Sequence, residues 1–87
     1  KRMVMMGNHG FMTVAESPAL AFDLAYHYER GCRTYLTALA TGADLAVLTD
    51  SVAEKTARQW EDYDVHVDKH LAAIRQILDE EEPDYRA

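Results

Sequence analysis

Four histidines and one cysteine, with dispersed carboxylates, are the side chains of this 87-residue chain that can ligate a metal or move a proton. Their spacing singles out His9. It lies in the tripeptide Asn8-His9-Gly10, between the apolar runs Met3-Val4-Met5-Met6 and Phe11-Met12-Thr13-Val14, each of which reads as a short buried strand. Gly7 and Gly10 permit backbone angles closed to other residues, so the chain can turn sharply on both sides of the imidazole. A histidine held at a strand end suits metal ligation, because the sheet and not a flexible loop fixes it. The plain alternative is a hairpin turn carrying a half-exposed histidine, since Asn-x-Gly is ordinary turn chemistry.

The other candidates are weaker. His66 and His70 are one helical turn apart and could chelate a metal from one face with Asp62 or a third residue helping. Nothing at neighbouring positions supplies a closed shell, so two partly exposed histidines on a polar face is the plainer reading. His27 falls in a helical stretch with no evident partner, and none of these three is assigned to catalysis. Glu29 reads either as a group that orients the site or, preferably, as a surface charge paired with Arg33 at i,i+4. Cys32 is the only cysteine, which rules out an internal disulfide and fits a reducing compartment.

The residues on either side of the tripeptide widen the pattern. The string Val4 to Val14 leads into Ser17-Pro18-Ala19-Leu20-Ala21-Phe22 and then Tyr28-Glu29-Arg30-Gly31-Cys32. It resembles the C-terminal part of the class II aldolase/adducin family, in which a buried strand, an Asn-His-Gly turn, a second strand and a long helix come in that order. The resemblance covers roughly residues 3 to 42, with 43 to 87 as a helical tail. It implies that His9 is the third imidazole ligand of a catalytic divalent metal, usually zinc. The implied enzyme is an aldolase-type lyase or epimerase acting on a sugar or sugar-phosphate through a metal-stabilised enediolate, the metal serving as Lewis acid. In the family the first two ligands form a His-x-His pair far upstream, and the acid/base carboxylate also lies upstream. No His-x-His occurs here, so this chain would hold one corner of the site. Adducin-type relatives keep the fold without the metal ligands and serve as interaction modules, which is the alternative function. The resemblance also implies a homo-oligomer, commonly a tetramer.

The elements that must position His9 can be read from pattern. Strands are expected at about 2–7 and 10–14. Ser17 is a good N-cap and Pro18 suits the first helical position. Leu20, Leu24, Tyr28, Cys32 and Leu36 then recur every fourth residue, with Phe22, Tyr35 and Leu39 widening the stripe, which predicts a core-facing helix over about 18–41. Gly42 supplies its stop, and Gly31 within it suggests close packing of a neighbouring element. A second long helix is expected over about 51–80, opened by a capping box at Ser51-Val52-Ala53-Glu54. Ala53, Ala57, Trp60, Tyr63, Val67, Leu71, Ile74 and Leu78 form its apolar stripe, with Trp60 and Tyr63 in the core or at a subunit interface. Four carboxylates, Asp79 to Glu82, oppose the dipole at its end and predict fraying, unless Tyr85 docks on a neighbouring subunit. The expected fold is therefore α/β: two hairpin-like strands and two long helices, forming the C-terminal portion (1–87) of a three-layer α/β/α domain.

Composition sets the remaining bounds. A formal charge of −6 and a pI near 5.0 argue against a nucleic-acid partner, which needs a basic face. The nine Lys and Arg residues are dispersed, so they form no polybasic patch. No apolar stretch reaches the roughly 18 residues of a membrane span, and cytoplasm is the default location. An 87-residue chain has a narrow stability margin, and a lone hairpin is marginal in water. With Lys1 opening almost directly into a strand, the expectation is a fragment of a longer protein. A small two-helix interaction module, binding through the Trp60 to Leu78 stripe, is the third reading.

Overall fold

The computed structural model describes residues 2–62 and 66–86. Tyr63, one position of the expected apolar stripe, lies outside them. Two strands, β1 (Met3–Met6) and β2 (Gly10–Thr13), are followed by three helices, α1 (Pro18–Ala40), α2 (Asp50–Glu61) and α3 (Val67–Glu81), and a 3₁₀ turn at Pro83–Arg86. The class is mixed α/β. The strands pair antiparallel with Met3 opposite Thr13 and Met6 opposite Gly10.

The start of α1 is set by local chemistry. Ser17 is extended, its hydroxyl accepts a hydrogen bond from the Leu20 N–H at 3.1 Å, and Pro18 opens the helix, so an otherwise unpaired donor of the first turn is satisfied. At the other end Gly42 takes φ 72°, and its N–H bonds to the Leu39 carbonyl at 3.1 Å. That left-handed position is where glycine is least strained. The Phe11 ring packs edge-on against Tyr28, with centroids 4.9 Å apart, and the Thr13 hydroxyl donates to the Ala21 carbonyl at 3.0 Å. These two contacts brace the hairpin on the first half of α1.

Several expectations are corrected. The helix expected over 51–80 is two helices. α2 ends at Glu61, where the Asp62 N–H bonds to the Arg58 carbonyl at 3.1 Å, and α3 opens at Val67 with His66 at its N-cap. The capping box does not form: α2 begins at Asp50 with Thr49 as N-cap, and no side chain caps it. The Ser51 hydroxyl lies 3.3 Å from that of Thr49 instead, while Glu54 pairs with Arg58 one turn on at 2.6 Å. Gly31 meets no atom within 4 Å of where a Cβ would sit, so no described element packs closely there. The Tyr85 hydroxyl donates to Asp79 of its own chain, and Asp79 also pairs with Arg86. Negative charge at that helix end thus acquires partners from the turn that opens at Pro83.

The core is thin. Ala19 is the only buried hydrophobic residue among those described, and none is fully buried. The strand expected to be buried, β1, is exposed along its length, with Met5 at 62%. The apolar stripe of α1 is half-buried at Leu20, Leu24, Tyr28 and Cys32 but exposed at Tyr35, Leu36 and Leu39, because β2 and α3 reach only its first part. In α3, Val67, Leu71, Ile74 and Leu78 are half-buried, as their spacing predicts.

Candidate functional site

Pairing of Met6 with Gly10 leaves Gly7, Asn8 and His9 as the hairpin loop. The His9 N–H closes the turn on the Met6 carbonyl at 3.3 Å. Asn8 takes φ 66° and Gly10 φ 108°. Asparagine tolerates the left-handed region better than other residues with a Cβ, and the Gly10 angle is one that a side chain strains. Both flanks of His9 are therefore fixed by residue type, and the expected sharp turning around the imidazole is observed. His9 is exposed, and no hydrogen bond of its ring is found among the described residues. A neutral imidazole so placed keeps a nitrogen lone pair for a ligand supplied from outside the hairpin.

The three histidines that spacing reads as plain helix residues behave differently. His70 and His27 converge on Asp23, a residue that no spacing marks. The His70 Nδ1–H donates to the Asp23 carboxylate at 2.8 Å, and the His27 Nδ1–H donates to the Asp23 main-chain carbonyl at 2.9 Å. The His70 ring also lies 4.5 Å from Tyr26 and 5.2 Å from Phe22, centroid to centroid, and Trp60 meets His27 edge-on at 5.1 Å. His70 is thus the residue that seats α3 on α1. Trp60 remains 52% exposed, so it belongs to no closed core. His66 is exposed at the N-cap of α3, as the plainer reading has it, whereas His70 is half-buried and paired with Asp23. Asp23 and His27 are four residues apart, a spacing too common along a helix to mark either residue; Asp23 and His70 are 47 apart, beyond any local pattern. Glu29 forms its i,i+4 ion pair with Arg33 and is a helix-surface charge.

Among the described residues no three His, Cys, Asp or Glu groups are placed to hold one metal ion. His9 accordingly belongs to no such group among the described residues.

Compared with known families, residues 1–36 match the model of the class II aldolase and adducin N-terminal domain. This segment is similar to the class II aldolase/adducin family. The match takes in both strands, the Asn8-His9-Gly10 turn and most of α1, as far as Leu36, and it lies at the start of the chain. No match is found among curated proteins or among solved structures. The matched segment includes both hairpin contacts to α1, at Ala21 and Tyr28, and continues past them to Leu36. No described helix is long and apolar enough to cross a membrane.

Proposed function

We propose that this chain contributes one imidazole, His9, to the divalent-metal site of an aldolase-type enzyme. The observation that carries the reading is the exposed His9 on a turn fixed by Asn8 and Gly10, inside the family-matched segment. The described residues fit the metal as one donor of a larger set, and His9 is the residue that would hold it. In this reading residues 1–87 are the C-terminal portion of a single family domain, and the other ligands and the acid/base group come from chain outside it. A bound zinc, or another divalent metal, supplies Lewis-acid polarisation of hydroxyl and carbonyl oxygens on a sugar or sugar-phosphate. His9 holds its ring at a set place and takes no part in proton transfer. Homo-oligomeric assembly and a cytoplasmic location belong to the same proposal. The adducin-like, non-catalytic module is the alternative, and an exposed, turn-fixed imidazole gives it no support.

The test is carbon–carbon cleavage of sugar-phosphates by the product of the natural gene, with and without His9→Gln. Cleavage that falls at least about a hundredfold in the variant, with loss of bound metal, supports the reading; equal metal and equal activity contradict it.

A further inference from the structure

We propose a second metal site, independent of His9, in which His27 on α1 and His70 on α3 ligate a first-row divalent cation and Asp23 orients both rings. Hydrogen-bond polarity sets the tautomers. A carbonyl or carboxylate oxygen can only accept, so the nitrogen facing it must carry the proton. Asp23 therefore binds Nδ1–H of His70 through its carboxylate and Nδ1–H of His27 through its main chain. In each neutral ring this leaves the lone pair on Nε2. Donation of the other ring N–H to a carboxylate or a main-chain carbonyl is how metal-ligating histidines are held, and here one residue does it for two.

Distance and surroundings agree. A zinc ion bonded to two imidazoles at about 2.0 Å each sets their ring centroids roughly 5 to 6 Å apart; those of His27 and His70 are 5.9 Å apart. Both rings, with Tyr26, Trp60 and Val67, line a cleft of about 240 Å³, large enough for the waters that complete a coordination shell. The His70–Asp23 pair is mostly shielded, with side-chain exposures of 22% and 15%. Imidazole donors select zinc, copper, nickel or cobalt over magnesium or calcium. With two protein ligands the site binds more weakly than a closed structural site and takes up metal from solution, bridging α1 to α3.

The test uses the natural gene product carrying His9→Gln, which removes the hairpin donor, so that failure here is separate from failure of the proposed function. Zinc chloride is titrated in by calorimetry, and imidazole nitrogen shifts are followed by NMR. The expected result is one equivalent of zinc, Nδ1-protonated tautomers of His27 and His70 before metal, and displaced Nε2 resonances for both after it. Adding His27→Gln or His70→Gln should weaken uptake at least about tenfold. No uptake, uptake indifferent to both substitutions, or Nε2-protonated rings in the metal-free protein would overturn the proposal. If a substituted protein loses its helical circular dichroism, the NMR result on the intact pair decides.

Discussion

Heating the 87-residue chain on its own should give no cooperative unfolding transition, and the size of the shortfall can be worked from its surface. The chain exposes 7526 Å², whereas a compact monomer of 9.9 kDa exposes about 5,200 Å². Its radius of gyration is 16.0 Å, against about 12 Å for a compact domain of this length. Roughly 2,300 Å² that a compact domain would bury stays wet. If somewhat over half of that is apolar, as for surfaces generally, about 30 kcal/mol of gross hydrophobic stabilisation is missing at about 25 cal/mol per Å². That figure is an upper value, since real unfolded chains are partly collapsed. It is still at least twice the net stability of roughly 5–15 kcal/mol that domains have. Scanning calorimetry on the monomeric chain, checked by sedimentation, is the assay. A two-state domain of this length absorbs about 60 kcal/mol near 60 °C; the chain should show a broad, gradual loss of helix instead. A sharp peak of that enthalpy, with van't Hoff and calorimetric values equal, would refute the reasoning.

Three further outcomes are expected. The hydrogen bond from Tyr85, aided by the charge of Arg86, holds the Asp79 carboxyl below its usual value near 3.8; a group lowered on folding contributes above its unfolded value and loses that contribution as pH falls through its folded one. The 3₁₀ turn should therefore stay on α3 at pH 4 and leave it only as pH falls below about 3.8, seen as a shift of the Tyr85 ring resonances that Asp79→Asn reproduces at neutral pH. Ser17→Ala should cost about 1 kcal/mol of α1 stability, read as faster hydrogen exchange of the Leu20 amide, and unchanged exchange would remove Ser17 as the cap. Gly42→Ala, forced to φ 72°, should destabilise the end of α1 by roughly 1–2 kcal/mol, visible as fraying from Leu39 onward in the same exchange experiment.

Short-range features are the legible ones. Ser17, Pro18 and Gly42 act within one turn of where they stand, and the hairpin is written in two apolar runs and the turn residues between them. The division into α2 and α3 is hidden because apolar spacing reports a shared face without marking where a helix ends, and the start of α3 carries no side-chain cap of the kind Ser17 supplies. The capping box at Ser51 fails because α2 opens earlier: with Thr49 as N-cap, Ser51 lies inside the helix and Glu54, five residues past the cap, pairs with Arg58 instead. Asp23 carries no mark in the sequence, since its value lies in His70, which approaches only once α3 is laid against α1. His9 is legible because a turn, unlike a seam between helices, is made by its own neighbours.

The central claim is that His9 is a metal ligand, and metal analysis of the natural gene product purified without added metal tests it most directly. One tightly held divalent ion per chain, lost in His9→Gln while helical content is kept, is the predicted result. A wild-type protein without metal, or a His9→Gln protein that retains it in full, would contradict the claim.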